Sequence, residues 1–325
     1  MLFLVNRIMR VMTDGGVLKK YVPPRPVVSV GNIHFGGTGK TPHVIYLAKF
    51  FIERGKKVCV LTRGYKRKER GLHLFPSGEI PDSVDKSGDE SFLLKKKVPD
   101  VILCVGENRR ESMQRVLRQG DVDLFLLDDG FQQFRMEKSF DAVLLRYNDL
   151  PGMGKMLNHV KMRESPGSMR HADFILVTKT PVTFQEGSVD ALFGRYGIEL
   201  ERAFTRFRVA GIANNKGSVT EYPREGEFYL FGGVGDFNGL VDTAMEHGIN
   251  VGGCHPLPDH VSYADTLMDS IRHRSGGRQL LTTEKDIVKL PYERFGEIFS
   301  LVIEVEFLRG KELFEEKVLR SVETG

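Results

Sequence analysis

Apolar residues in the first half of the chain occur in short continuous runs rather than at alternate positions. The runs lie within residues 25–33, 56–64, 100–106, 121–130, 139–147 and 172–180. Strands that are buried on both faces of a sheet carry such runs. Three intervening segments, beginning at residues 41, 87 and 108, have helical spacing, and Ser87 or Asp89 is placed to cap the second of them. This order predicts an α/β fold with a parallel sheet between two layers of helices.

The second half repeats this mixture on a smaller scale. Strands are predicted at "EFYLFGGVG", "RQLLTTEKD" and "FSLVIEVEFL", and helices at "FNGLVDTAMEHG", "YADTLMDSIRHRSG" and "GKELFEEKVLRSVE". Between the halves, "AFTRFRVAGIAN" alternates as a more exposed strand does, which is typical of a connector. We therefore expect a larger domain over residues 1–205 and a smaller α/β domain over residues 206–325.

The stretch "VGNIHFGGTGKTPHV" has the composition of a phosphate-binding loop between a strand and a helix. Three glycines allow the backbone to curl around an anion, a lysine can reach the outer phosphates, and a threonine hydroxyl can face Mg²⁺. The predicted ATP-binding residues are His34, Phe35, Gly36, Gly37, Thr38, Gly39, Lys40 and Thr41. The common pattern G-x-x-x-x-G-K-[ST] has a glycine where this chain has His34, so we interpret the loop as a variant of the P-loop.

An acidic pair at the end of another predicted strand supports this interpretation. Asp128 and Asp129 follow the run "LFLL". In an open parallel sheet, ligands bind beyond the carboxyl ends of the strands. The phosphate-binding loop of residues 34–41, called the glycine loop below, and the acidic pair should therefore lie at the same edge of the sheet. Together they predict a site for a nucleotide with Mg²⁺, and they make the first domain a P-loop nucleotide-binding domain.

Charge and cysteine content exclude other classes of function. The net charge is only +4, and basic residues are interleaved with acidic ones, so nothing indicates a nucleic-acid partner. Cys59, Cys104 and Cys254 are scattered without the spacing of a zinc site or a disulfide framework. A reducing compartment is the natural inference. The sequence indicates no protein partner.

The N-terminal segment predicts an amphipathic helix. Leu4, Ile8 and Val11 recur at helical spacing, with Arg7 and Arg10 between them. The arginines interrupt the apolar run and no small-residue cleavage site follows, so the likeness to a signal peptide is superficial. Two interpretations stay open: a helix packed on the domain, and a helix lying on an anionic membrane surface through residues 1–20.

Seven segments in order carry a resemblance to a known family. They are "VGNIHFGGTGKTP", "TRGY", "SGDES", "DDGFQQ", "RES", "LPDHVSY" and "TTEKD". Together they resemble the tetraacyldisaccharide 4′-kinases of lipid A biosynthesis over nearly the whole chain. The resemblance implies ATP-dependent and Mg²⁺-dependent phosphorylation of the 4′-hydroxyl of a tetraacylated glucosamine disaccharide 1-phosphate. It also implies two α/β/α domains joined by a two-stranded connector, and a peripheral location on the cytoplasmic face of the inner membrane.

The resemblance also assigns roles to individual residues. Asp89 matches the family's catalytic aspartate, with Glu90 beside it, and His260 matches the histidine that pairs with it. A sugar hydroxyl is a poor nucleophile, so a carboxylate steered by an imidazole is a sensible acceptor for its proton.

Further residues match the surroundings of the phosphates and the metal. Asp128 and Asp129 match the pair that handles Mg²⁺, and Gln132 is their polar neighbour. Arg109 matches an arginine expected to contact nucleotide phosphates. Arg163 and Glu164 match a pair near the transferred group or the metal, and an arginine there could neutralise charge that develops on the γ-phosphoryl oxygens.

Two other functions would also use a glycine loop and an acidic pair. The first is a P-loop GTPase or ATPase of the metallochaperone type, and "LVTKT" is similar to a guanine-reading strand end. It lacks the aspartate two positions beyond Lys179 that guanine recognition would need. The second is a nucleotide-regulated binding module without phosphoryl transfer. Dependence of ATP consumption on a disaccharide lipid acceptor separates the three.

Overall fold

The computed structural model describes residues 2–150, 162–214, 219–220, 226–290 and 295–324. The strands are β1 (Val27–Asn32), β2 (Val58–Thr62), β3 (His73–Phe75), β4 (Ile102–Val105), β5 (Leu124–Asp128), β6 (Phe140–Arg146), β7 (Phe174–Thr178), β8 (Arg202–Asn214), β9 (Val219–Thr220), β10 (Phe228–Gly232), β11 (Val251–Pro256), β12 (Gln279–Thr283) and β13 (Phe299–Arg309). The helices are α1 (Leu2–Asp14), α2 (Lys40–Ile52), α3 (Val84–Ser87), α4 (Asp89–Lys97), α5 (Arg109–Leu117), α6 (Gly187–Tyr196), α7 (Phe237–Glu246), α8 (Asp265–Ser275), α9 (Glu284–Ile287) and α10 (Lys311–Glu323). Short 3₁₀ turns lie at Tyr147–Asp149 and Pro166–His171.

The described strands join in one mixed sheet. Its order is β11-β10-β12-β13-β8-β7-β6-β1-β5-β2-β4-β3, with β9 paired to β8. Along this order each strand from β8 to β4 is parallel to the next, and so is each strand from β11 to β13, whereas the edge strand β3 is antiparallel to β4. Antiparallel pairing of β8 with β13 joins these two parallel parts. The predicted fold class, a P-loop NTPase-like parallel sheet with flanking helices, is confirmed.

The continuous apolar runs reflect burial of both faces of the sheet. In β6, Ala142 and Leu144 pack in one core cluster, whereas Val143 and Leu145 pack in another on the opposite face. The second half follows the same rule. Leu230 of β10 packs with Phe237 and Ala244 of α7, and its neighbour Phe231 packs on the opposite face with residues of α8.

The closing helix packs on strands of the first half. Phe314, Val318 and Val322 of α10 belong to the core cluster that includes β1 and α2. The ring of Phe314 lies 5.2 Å from the ring of Phe174 and 6.1 Å from that of Phe140. The division into residues 1–205 and 206–325 stays a prediction. Helix α10 belongs to the second range in sequence but packs on the first.

Several local features differ from the sequence expectation. Strands β3 and β11 and helix α6 were not predicted. Strand β3 is only three residues long, and β11 contains two glycines and alternates between half-buried and exposed residues. The expected cap of α4 by Ser87 or Asp89 is wrong. Gly88 is the N-cap, with φ 82°, and Asp89 is the first residue of the helix. A Cβ at Gly88 would lie 3.1 Å from the carbonyl oxygen of Tyr65, so glycine allows the chain to turn here.

Replacement of Phe314 by alanine tests the packing of α10. Loss of a fully buried aromatic side chain should lower the free energy of unfolding by about 3–5 kcal/mol. Leu313→Ala, at the exposed neighbouring position, should cost less than about 1 kcal/mol. Urea unfolding measures both. Equal effects of the two substitutions would contradict the packing of this helix on the first half.

Candidate active site

A cavity of about 1480 Å³ lies between the two halves of the chain. The first half contributes the glycine loop, the start of α4 and the carboxyl end of β5. The second half contributes residues 234–236, 259–260 and 283–285. The cavity thus lies beyond the carboxyl ends of parallel strands, where open α/β sheets bind ligands.

The glycine loop is held by contacts from neighbouring strands. Asn32 Nδ2 donates to Thr38 Oγ1 over 2.8 Å, and Thr178 Oγ1 donates to the carbonyl oxygen of Thr38 over 3.0 Å. Gly39 has φ 89°, and a Cβ there would lie 2.3 Å from the ring of Phe207. Glycine is therefore required at this position both by conformation and by space. The N-terminus of α2 begins at Lys40 and points toward the cavity, as anion sites require.

His34 and Phe35 lie differently with respect to the cavity. The His34 side chain is buried, with Nδ1 3.8 Å from Asp149 Oδ2, and it does not line the cavity. Burial lowers its pKa, against the opposing charge of Asp149. Phe35 lines the cavity, and its ring lies beneath the Arg163 guanidinium at 5.1 Å.

His43 braces the loop from behind and was not predicted from the sequence. Its Nδ1 lies 2.8 Å from the carbonyl oxygen of Gly39, and its Nε2 lies 3.1 Å from Thr205 Oγ1. Burial lowers the pKa of His43 to about 4, so the ring is neutral at pH 7 and donates to Gly39 through Nδ1. Its position four residues after Gly39, on the first turn of α2, was the available signal.

The two aspartates of the acidic pair have opposite environments. Asp128 is buried, and its Oδ1 has no hydrogen-bond partner. Burial and then the nearby Glu90 raise the pKa of Asp128 to about 7. Asp129 has φ 62° and turns toward two cations: its Oδ1 lies 3.6 Å from Lys40 Nζ, and Arg163 donates to both of its oxygens over 2.6 Å. Burial alone would raise the pKa of Asp129, but the charges of Lys40 and Arg163 hold that pKa below its usual value.

Thr41, Glu90 and Arg109 lie around Asp128. Thr41 Oγ1 donates to Glu90 Oε2 over 3.1 Å. Arg109 is buried and donates to the carbonyl oxygens of Gly106 and Asp128, over 2.7 and 3.2 Å, so it joins the ends of β4 and β5. Burial, and then the charge of Arg63, lower its pKa to about 10, which leaves it charged at pH 7.

Gln132, Arg163 and Glu164 form a polar network beside the acidic pair. Gln132 Nε2 donates to Glu164 Oε1 over 2.9 Å and to the carbonyl oxygen of Asn32 over 2.9 Å. Arg163 donates to Gln132 Oε1 over 3.3 Å as well as to Asp129. The network therefore links three sequence-predicted residues to the carboxylate that faces Lys40.

Asp89 and His260, from opposite halves of the chain, meet at the cavity. His260 Nδ1 lies 2.9 Å from Asp89 Oδ2, and Lys289 Nζ lies 3.5 Å from the same oxygen. Burial alone would raise the pKa of Asp89, but the hydrogen bond and charge of His260, with Lys285 and Lys289 beyond it, hold that pKa below its usual value. His260 has φ 62°, which is uncommon for a residue other than glycine.

The "TTEKD" segment holds the two halves together. Thr283 caps α9 by accepting from the Asp286 amide. Glu284 accepts from Lys97 of α4 over 2.6 Å and from the Ile303 amide of β13 over 3.0 Å. Lys179 and Asp236 form a second ion pair between the halves, at 2.8 Å.

Comparison with known proteins places this arrangement in a family. A family model described as tetraacyldisaccharide-1-P 4′-kinase matches residues 1–323. The tetraacyldisaccharide 4′-kinase of Aquifex aeolicus is 32% identical over 302 residues, which cover 92% of this chain and 90% of that protein. The protein of the same name from Flavobacterium psychrophilum is 29% identical over 330 residues, covering 99% and 94%.

A solved structure agrees with these relatives. The crystal structure of the "apo" form of LpxK from Aquifex aeolicus in complex with ATP matches with a TM-score of 0.78 and 28% identity, over 99% of this chain and 96% of that one. The whole-chain family match favours the lipid-kinase interpretation over a metallochaperone-type GTPase or ATPase. This chain belongs to the tetraacyldisaccharide-1-P 4′-kinase family.

Proposed function

We propose that the cleft carries out the family's reaction with the residues that meet there. In this reaction the γ-phosphoryl group of ATP passes to the 4′-hydroxyl of a tetraacylated glucosamine disaccharide 1-phosphate, the lipid A precursor. The contact of Asp89 with His260, in a cavity that the glycine loop also lines, is the observation that carries the mechanism. The ATP complex of the Aquifex aeolicus relative supports the choice of nucleotide.

The glycine loop would hold the triphosphate. Backbone N–H groups of residues 36–39 and the N-terminus of α2 supply partial positive charge. Lys40 would pair with the outer phosphates, which requires it to exchange Asp129 for the nucleotide. Arg109 would add a fixed positive charge from the cavity wall.

Mg²⁺ fits beside Thr41 and Asp128. The metal prefers oxygen ligands and keeps several waters or phosphate oxygens. Asp128 Oδ1 has no hydrogen-bond partner, whereas Arg163 bonds both oxygens of Asp129. We therefore assign direct contact to Asp128, with Thr41 and Glu90 nearby and Asp129 in a supporting position. When bound, the metal would neutralise charge on the β- and γ-phosphate oxygens.

Asp89 and His260 would manage the proton of the acceptor. As the acceptor oxygen bonds to the γ-phosphorus, the bond from that phosphorus to the β-phosphate oxygen breaks, and ADP leaves. The hydroxyl proton passes to the Asp89–His260 pair, in which the imidazole holds the carboxylate by a hydrogen bond to Oδ2. Arg163, held by Gln132 and Asp129, lies where it can offset charge on the transferred group.

Helix α1 would hold the protein at the cytoplasmic face of the inner membrane, where the acceptor lies. Leu4, Val5, Ile8 and Val11 are exposed on this helix, with relative accessible surface areas of 47–65%. Lys19 and Lys20 are exposed just beyond it and would face anionic headgroups. Among the described helices, none has the length and apolar content needed to cross a bilayer. We propose peripheral attachment.

Removal of either member of the Asp89–His260 pair tests the mechanism. Asp89→Ala and His260→Ala should each lower kcat by about a hundredfold or more. The double variant should lose less than the product of the single losses, because the two groups act as a unit. Transfer of labelled γ-phosphate to the lipid acceptor measures the rates. His255→Ala, in the same half of the chain, is the control and should stay within about twofold of the unaltered enzyme. Independent, multiplicative losses would refute the pair.

The pH dependence of stability tests the environment of Asp128. Its folded pKa of about 7 exceeds the ordinary 3.8, so the folded state binds this proton more tightly. The contribution of Asp128 to the free energy of unfolding should therefore fall as pH rises from about 4 to about 7. In the metal-free enzyme, Asp128→Asn should remove up to about 4 kcal/mol of this fall. Asp129→Asn should act in the opposite sense, because the folded pKa of Asp129 is lowered. Urea unfolding at several pH values compares the variants, and parallel profiles for both would contradict the assignment.

The membrane role of α1 is tested by replacing its exposed apolar residues. Leu4→Ser/Val11→Ser should weaken sedimentation with anionic vesicles by about tenfold, since burial of apolar area contributes to binding. ATP binding should be unchanged. Ile80→Ser/Met245→Ser, which alters two exposed apolar residues elsewhere, is the matched control. Equal vesicle binding by both double variants would indicate that α1 only packs on the domain and does not bind the membrane.

A further inference from the structure

Helix α1 has an inward face that reaches the polar network of the cleft. Arg10 Nε donates to Glu164 Oε2 over 2.7 Å. The Arg10 guanidinium lies over the rings of Phe131 and Phe134, 4.6 and 4.7 Å from their centroids. One turn earlier, Asn6 Nδ2 donates to the carbonyl oxygen of Arg163 over 3.1 Å. These contacts place a cation of the N-terminal helix beside residues that we assign to the site.

Glu164 depends on that cation. Its side chain is only 3% exposed, and its other oxygen accepts from the neutral amide of Gln132. A buried carboxylate without a charged partner is costly and takes up any cation within reach. The nearest candidate is Arg163, which is adjacent in the chain and donates to Gln132, the residue that also contacts Glu164. Arg163 is bound to Asp129, which in turn faces Lys40.

We propose that Arg10 is a positioning residue for phosphoryl transfer. By neutralising Glu164, it leaves Arg163 on Asp129 and keeps Gln132 between them. Without Arg10, Glu164 competes with Asp129 for Arg163, and Asp129 then holds Lys40 more strongly against the nucleotide. The proposal rests on the function proposed above for Asp129, Arg163 and Lys40.

The same helix thereby has two roles on two faces. Its outward apolar residues would lie on the membrane that contains the acceptor, and its inward Arg10 orders the network next to the phosphates. Insertion of α1 at a lipid surface and the geometry of the cleft are thereby linked through the inward side chains of this helix, Arg10 and Asn6.

Arg10→Gln tests the proposal, with Arg7→Gln on the exposed side of the same helix as the matched control. In acceptor-containing detergent micelles, Arg10→Gln should lower kcat by about tenfold, while the KM for the acceptor changes less than about twofold. Arg10→Lys, which keeps the charge, should retain more activity than Arg10→Gln. Arg7→Gln should match the unaltered enzyme. A raised acceptor KM with unchanged kcat would instead indicate that Arg10 only docks the helix, and would overturn the proposal.

The double variant Arg10→Gln/Glu164→Gln gives the sharper result. With no carboxylate left to compete for Arg163, its kcat should exceed that of Arg10→Gln and approach that of Glu164→Gln alone. A kcat equal to the product of the two single losses would overturn the proposal. If Arg10→Gln matches the unaltered enzyme while Asp89→Ala abolishes transfer, this proposal alone fails. Absence of acceptor-dependent transfer in the unaltered enzyme would defeat the proposed function itself.

Discussion

The antiparallel pairing of β8 with β13 is the constraint on which the cleft depends. The pairing runs from Phe299 opposite Asn214 to Arg309 opposite Phe204, and each strand continues into a parallel part of the sheet on its other side. The two halves are therefore joined by main-chain hydrogen bonds rather than by a loose linker. Phe207 and Thr205 of β8 also touch the glycine loop and its supporting His43. The paired strands β8 and β13 thus fix the position of the glycine loop as well as that of the second half of the chain.

Three carboxylates at or near the cavity face a cation or an imidazole, and Asp128 does not. Asp129 faces Lys40 and Arg163, Glu164 faces Arg10, and Asp89 faces His260. Asp128 has an oxygen without a hydrogen-bond partner and a raised pKa, because it is buried near Glu90. A divalent cation would relieve that repulsion, which gives a physical reason for the metal to bind together with the nucleotide.

The acceptor explains why an amphipathic helix belongs next to a nucleotide site. Under the proposed function the acceptor is a tetraacylated disaccharide whose acyl chains favour the membrane, so a helix that lies on the membrane surface would bring the glycine loop to it. Helix α1 lies beside the network that reaches Asp129, and its apolar side faces outward. Helix α1 therefore lies between the proposed membrane contact and the polar network of the proposed reaction site.

Local sequence determined most of the helices and strands and the glycine loop. Continuous apolar runs predicted the buried strands, because a strand covered on both faces has no polar side. The glycines before Lys40 predicted the loop, because only a backbone free of side chains can curl there. Sequence reasoning missed His43, whose local signal was its position four residues after Gly39, and Arg10, whose partner Glu164 lies 154 positions away. Resemblance to a family named Asp89 and His260. These residues are 171 positions apart in the sequence, and only the tertiary structure shows that His260 Nδ1 and Asp89 Oδ2 lie 2.9 Å from each other. The reason is that the pairing of β8 with β13 decides which loops of the two halves face each other.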